Sequence, residues 1–304
     1  MIMTKCNNFV LLPDQKLSEN IRLITASNSS PLTNLGTNTY CIGIKELILI
    51  DPGPNITDHF NNICNLIGNA KLSHIVLTHS HQDHCAMAIR LAAKSGSKIC
   101  LSGDLVSTKE EILCKIQDKF DPTDLTNEPF NRIEVQVLTD KTKIYNNECC
   151  LDVIFTPGHM SDHVCLALNG TDILFTGDHV MGWSSTVIIP PSGNMRDFMM
   201  SLKKLLYRKE NVYLPGHGRP ISNAKDYVRL QINHKKFREE QILDLIKTAP
   251  AEASELVSLI YPDLDKRLSL AAENNIYAHL INLYSKNFVY IEKKMSITTK
   301  FFCK

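Results

Sequence analysis

Residues 78–85 read THSHQDHC. Three imidazoles and a carboxylate crowd into one short stretch, and none of them adds to a hydrophobic core. They follow the apolar run Ile75-Val76-Leu77, which ends a predicted strand. They precede CAMAIRLAAKSG, which has the spacing of a helix. The cluster therefore sits on a strand-to-helix loop, the kind of place where a rigid frame presents reactive side chains. Imidazole nitrogens and carboxylate oxygens are good zinc ligands, at about 2.0–2.2 Å. Alternate side chains of an extended segment point the same way, so His79 and His81 can converge on one ion. Asp83 and His84 follow the bend and can serve a second ion beside the first.

Two ions need further donors, and three later stretches supply them, each at the end of a predicted strand. FTPGHMSDH presents His159, ILFTGDH presents Asp178 and VYLPGHG presents His217. A glycine beside each lets backbone come close to a metal. Taken singly, each residue has an ordinary alternative as a buried histidine or a turn aspartate. Their joint recurrence at strand ends favours ligation.

The rest of the chain fits an α/β protein. Strand-like runs at 47–50, 98–101, 133–138, 151–155, 164–168, 173–175 and 212–214 alternate with helical spacing in TDHFNNICNLIG and DFMMSLKKLLY. The pattern changes near residue 223. A long amphipathic helix over 223–247 is stopped by Pro250, and two more helices and the short strand NFVYIEKK follow. That order suits a small winged-helix module; a helical cap on the main domain is the alternative. The expected division is 1–222, 223–295 and a tail at 296–304. The chain of 304 residues, 43% hydrophobic, has room for both domains.

A net charge of +1 excludes an overall field toward nucleic acid or membrane, although residues 225–304 carry 13 basic against 10 acidic side chains. Ten cysteines, with no CxxC pair, read as reduced and mostly buried thiols. The first residues lack an apolar leader core, and no run approaches about 18 apolar residues. A cytoplasmic protein with no membrane contact and no obligate protein partner is the expectation.

In this order, THSHQDH, TPGH, TGD and PGHG resemble the metallo-β-lactamase superfamily. The resemblance covers about residues 20–222 and implies a four-layer αββα sandwich with metals at one edge. It implies two zinc ions per chain: His79, His81 and His159 on the first, Asp83, His84 and His217 on the second, and Asp178 bridging. LIDPGP places Asp51 as a carboxylate supporting a ligand histidine, while a DPG turn also uses Asp for its own backbone. LTNLGTNTY, PGH followed by SDH, GDHVMGWSSTVI and HKKFREEQIL resemble more closely the β-lactamase-like protein 2 group. That group carries a winged-helix-like C-terminal domain, and its characterised animal members are endoribonucleases acting on single-stranded RNA.

The implied chemistry is hydrolytic. Two zincs about 3.5–4 Å apart bring a bridging water to a pKa near 7, and the hydroxide attacks a phosphodiester or acyl centre. Asp83 and Asp178 are the expected catalytic carboxylates, with Asp83 orienting the nucleophile and passing a proton to the leaving group. Single-stranded RNA is the first expected substrate. A small acyl or thioester substrate, of the glyoxalase II kind, uses the same ligands. β-Lactam hydrolysis is a weaker alternative, because dedicated lactamases of the superfamily lack an aspartate where this chain has Asp178. Iron-dependent sulfur oxidation and a non-catalytic metal module complete the alternatives. Beyond the ligands, Asp162 and His163 are support or strand-start residues. Cys85 reads as core, and His179 as structural. Trp183 lines a groove or plugs the surface. His234 and Arg238 reach the pocket or form a polar pair, and Lys235 and Lys236 read as a solvated face.

Overall fold

A computed structural model describes residues 15–18, 20–102 and 133–304. The chain divides into two units. The first contains the described residues up to Phe155 together with Asp162–Ser184 and Lys209–Ser222, and the second contains Thr156–Ser161, Ser185–Arg208 and Asn223–Lys304. The parting at 222/223 lies where the sequence pattern changes. Segments 156–161 and 185–208, by contrast, join the second unit rather than the first.

Among the described residues, the first unit holds two sheets. The larger runs β1 (Gln15–Ser18), β2 (Ile21–Thr25), β3 (Asn38–Ile42), β4 (Glu46–Ile50), β5 (Lys71–Val76), β6 (Lys98–Ser102) and β7 (Val135–Leu138) in sequence order. Its first four strands pair antiparallel and the rest parallel. The smaller sheet contains β8 (Lys143–Tyr145), β9 (Cys150–Phe155), β10 (Val164–Leu168), β11 (Ile173–Gly177) and β12 (Val212–Pro215), in the order β12-β11-β10-β9-β8. Only its β11–β12 pair is parallel.

The apolar runs are strands because both their faces are buried. In β4, Ile48 and Ile50 point inward to Leu151, Val153, Leu166 and Phe175 of the smaller sheet. Leu47 and Leu49 point outward to Ile63 of helix α1 (Thr57–Ile67) and to Ile89 and Leu91 of helix α3 (Ala88–Ser95). Period-two burial on both sides explains why the run is continuously hydrophobic. Each such side chain contributes roughly 1.5–3 kcal/mol. Tyr40 packs edge-on to Phe175 at 5.1 Å, and its hydroxyl donates to the Pro215 carbonyl at 2.8 Å. The two sheets are thereby tied at the strand ends that carry the metal motifs.

The second unit contains α4 (Met195–Leu206), α5 (Ala224–Thr248), α6 (Ala253–Ile260), α7 (Ser269–Ser285), β13 (Val289–Tyr290) and β14 (Phe302–Cys303). Asn194 caps α4 by accepting from the backbone N–H groups of Arg196 and Asp197. Helix α5 ends where Ala249, held extended before Pro250, breaks the ladder. Ile242 and Ile246 pack with Leu256, Ile276, Leu280 and Phe301. Residues 296–304 are not a tail: β14 pairs with β13, Val289 opposite Cys303, and Phe301 bridges Ala251. No helix among the described residues is long and apolar enough to cross a membrane. The eight described cysteines are free thiols, and Cys6 and Cys114 lie outside the described residues.

Candidate metal centre

The donors sit at the carboxyl ends of strands, as the motifs predict. Asp51 follows β4, the THSHQDHC loop follows β5, His159 follows β9, Asp178 follows β11 and His217 follows β12. The short helix α2 (Gln82–Cys85) turns the chain between His81 and Asp83. The ligand atoms of His79, His81 and Asp178 lie within 4.8 Å of one another, and so do those of Asp83, His84 and His217; His159 belongs to the second unit. Asp178 also reaches the second group. Its Oδ1 is 3.3 Å from His84 Nε2 and its Oδ2 is 3.3 Å from His217 Nε2. Six of the seven residues expected from sequence are brought together in the first unit, and the seventh, His159, lies in the second.

The donor spacing fits a small cation. In the second group His84 Nε2 and His217 Nε2 are 3.3 Å apart, and Asp83 Oδ2 is 3.4 and 3.2 Å from them. Ligands at about 2.0–2.1 Å around a tetrahedral zinc stand about 3.3 Å from one another. In the first group His79 Nε2 faces His81 Nδ1 at 3.0 Å. Two imidazole nitrogens pointed at each other need a proton or a metal between them.

The surroundings fix which nitrogen carries the proton. Asp51 Oδ2 lies 2.9 Å from His84 Nδ1, the Gly36 carbonyl 3.1 Å from His217 Nδ1 and the Val187 carbonyl 2.9 Å from His159 Nδ1. Each oxygen accepts the Nδ1 proton and leaves the Nε2 lone pair aimed at the site. Asp51 also accepts from the Thr78 N–H at 2.8 Å and the Thr78 hydroxyl at 2.7 Å. That hydroxyl lies 3.0 Å from His79 Nδ1 and accepts its proton. One buried carboxylate thus sets two histidines. Asp51 adopts φ of 50°, a left-handed backbone that Asp tolerates better than most residues.

Charge in the site is strongly coupled. Burial raises Asp178 and Asp83, but His217 and His84 outweigh it and hold both carboxyls well below the ordinary range. Burial lowers His84, yet Asp178, Asp83 and Asp51 lift it well above its usual value. His217 is likewise lowered by burial and lifted by Asp178 and Asp83, to about 9. The carboxylates remain ionised and demand positive charge between them, which a divalent cation meets while leaving the imidazoles neutral.

Other residues sort clearly. His163 Nε2 accepts the Asp178 N–H at 3.1 Å, so it shapes the loop that carries Asp178. Cys85 is fully buried with its thiol on the Ser80 carbonyl. Trp183 is partly exposed and lies against Gly218, next to His217. In the second unit Arg238 stacks on the Tyr261 ring at 4.3 Å, and His234 is exposed. Lys235 departs from expectation: it is buried, not solvated. The sequence patterns did not single out Thr37, whose hydroxyl donates to Asp83 Oδ2 at 3.1 Å, or Asn38, which donates to the Pro215 and Gly218 carbonyls at 3.0 and 2.9 Å. Both lie in the TNLGTNTY stretch, which carried a signal without a role.

The family model described as metallo-beta-lactamase superfamily matches residues 32–217, and that of the beta-lactamase associated winged helix domain matches residues 253–290. The beta-lactamase-like protein 2 homolog of Drosophila melanogaster is 30% identical over 287 residues, covering 91% of this chain and 92% of that one. An atrochrysone carboxyl ACP thioesterase of a Cryptosporiopsis species is 25% identical, covering 78% of this chain and 66% of its own length. The crystal structure of a metallo-beta-lactamase family protein from Thermus thermophilus superposes with a TM-score of 0.74 at 21% identity, over 95% of this chain and 100% of that one.

Proposed function

Because the chain belongs to the metallo-beta-lactamase superfamily and carries its associated winged-helix domain, we propose that it is a dinuclear zinc hydrolase that cleaves single-stranded RNA. The observation that carries the hydrolase reading is Asp178. Its carboxylate groups with His79 and His81, and its two oxygens also face His84 and His217. A carboxylate shared between two donor sets is what a pair of cations needs. Bound there, such a pair supplies Lewis-acid polarisation of a substrate oxygen and brings water to a pKa of about 7.

The chain's own residues do the rest. Asp51 and the Gly36 and Val187 carbonyls hold the ligand imidazoles in one tautomer. The Thr37 hydroxyl donates to Asp83 Oδ2, leaving Oδ1 as the oxygen that would orient water and pass its proton to the leaving group. No serine or cysteine nucleophile is needed. RNA as substrate rests on the likeness of LTNLGTNTY, GDHVMGWSSTVI and HKKFREEQIL to the β-lactamase-like protein 2 group. Thioester hydrolysis is the second reading, favoured by similarity to the ACP thioesterase.

The test is a panel of single-stranded RNA, S-lactoylglutathione and a chromogenic cephalosporin, run on zinc-loaded protein whose metal content is measured. RNA cleavage lost by at least about a thousandfold in Asp178→Ala and His81→Ala supports the proposal. Thioester turnover without RNA cleavage moves the assignment to the second reading. Cleavage that persists in both variants is contamination and removes the RNA assignment.

A further inference from the structure

The second unit holds a cavity of about 290 Å³ between α4, α5 and α7, and none of the seven ligand residues lines it. Its wall contains Lys235, a cation only 2% exposed. Among the described residues no carboxylate pairs with it. Its ammonium donates to the Thr186 carbonyl at 2.6 Å and lies 5.3 Å from the Phe198 ring. Burial, with the Arg238 charge behind it, pulls this lysine down to about 7. An ammonium has three donors, and a buried one is costly without an anion.

Two further groups in the wall are unsatisfied. His279 is 1% exposed, and neither ring nitrogen has a hydrogen-bond partner. Burial, then Lys235 and Arg238, hold it neutral, with one donor and one acceptor to offer. Asn282 gives its Nδ2 to Glu239 at 2.8 Å, so its buried Oδ1 is left without a partner. Glu239, the acidic residue in the lining, is already held by Lys286 at 2.8 Å and does not neutralise Lys235. The exposed cations Arg196 and Lys203 stand at the rim, and methionines of α4 form an apolar wall.

We propose that this cavity binds a phosphate monoester of mononucleotide size: phosphate on Lys235 and the rim cations, a flat heterocycle against the methionines, and its polar edge on His279 and Asn282. Each orphan then has a complement. The phosphate pairs the buried ammonium, the base edge meets the imidazole and the amide oxygen, and thioethers pack well on aromatic rings. The volume suits a nucleotide better than an inorganic ion. A free nucleotide and the phosphorylated end of an RNA strand share this chemistry. The site does not depend on the hydrolase assignment.

Calorimetric titration of the 304-residue chain with adenosine 5′-monophosphate tests the proposal, with Asp178→Ala as a background in which the carboxylate shared by the two proposed donor sets is gone. The expected result is one nucleotide bound by both proteins, and affinity weakened at least about tenfold in Lys235→Met and in His279→Phe. Adenosine and inorganic phosphate alone should each bind at least about tenfold more weakly than the nucleotide. Lys235→Met removes an unpaired buried charge, so its melting temperature without ligand should match or exceed the parent's, while nucleotide no longer raises it. The surface double variant Arg196→Ser/Lys203→Ser, which leaves the core untouched, should also weaken binding. A 5′-phosphorylated RNA tetramer binding the Asp178→Ala protein as tightly as the mononucleotide supports an RNA end as the occupant, and nucleotide binding alone supports a free nucleotide. No uptake by the Asp178→Ala protein, or unchanged affinity in the Lys235, His279 and rim variants, overturns the proposal.

Discussion

At the scale of single residues, Asp51 binds no substrate in the proposed scheme, yet it orients His84 directly and His79 through Thr78. Asp51→Asn keeps the shape but puts a donor where two acceptors are needed. Metal affinity should fall about 10–100-fold with the far-UV spectrum unchanged, read by competition with a zinc chelator. Gly216 makes a different demand. A Cβ there would stand 2.5 Å from Asp178 Oδ1 and 2.6 Å from His84 Cε1. Gly216→Ala should therefore displace the Asp178 carboxylate and, on the dinuclear proposal, reduce bound metal from two ions toward one, by elemental analysis; two retained ions would mean the loop relaxes away. The clustered His and Asp side chains were legible because few residue types offer metal-ligating atoms, and here they recur at strand ends. Gly36 and Val187 were not, because each acts through its backbone carbonyl and leaves no mark on residue type.

At the scale of elements, long periodic segments were readable and short pairings were not. Helix α5 spans Ala224–Thr248 against an expected 223–247, because Pro250 and the apolar spacing bound it. The pair β13–β14 is two residues per strand, too short for a period, so residues 296–304 looked like a tail. Phe301 shows that they are core: it is fully buried with Ile276 and Leu280 and packs edge-on to Tyr277. Phe301→Ala should cost about 3–5 kcal/mol. Hydrogen exchange should show the loss concentrated in α6, α7 and the β13–β14 pair, with the strands of the first unit still protected. Uniform loss across the chain would contradict an independent core there. The burial of Lys235 follows from its place on the helix. Val228, Ile232, Lys235, Ile242 and Ile246 fall on one helical stripe, and its spacing marked position 235 as buried whatever its charge.

For the molecule as a whole, the metal centre sets how stability responds to pH. The first unit brings buried carboxylates and imidazoles from four strand ends into one place, and something positive must sit among them. With zinc, the cations do so and the imidazoles stay neutral. Without zinc, protons must. His217 then has a folded pKa of about 9, above its ordinary 6.5. A raised pKa means the folded chain holds a proton that the unfolded chain has released. The stabilisation it gives is complete below pH 6.5 and is lost as pH rises through about 9. Metal-free protein should therefore lose roughly 1–3 kcal/mol between pH 6.5 and 9.5 from this group, discounted for coupling to His84. Zinc-loaded protein should not follow it, since ligation removes the same proton at every pH in that window. Urea denaturation of chelated and zinc-loaded samples at the two pH values measures the difference. The gap between them should widen with pH. His217→Gln should remove most of the widening while leaving the metal-free protein folded. A gap that is constant or narrows toward pH 9.5 would mean that proton and cation do not compete for the same place, and the dinuclear assignment would lose its physical basis.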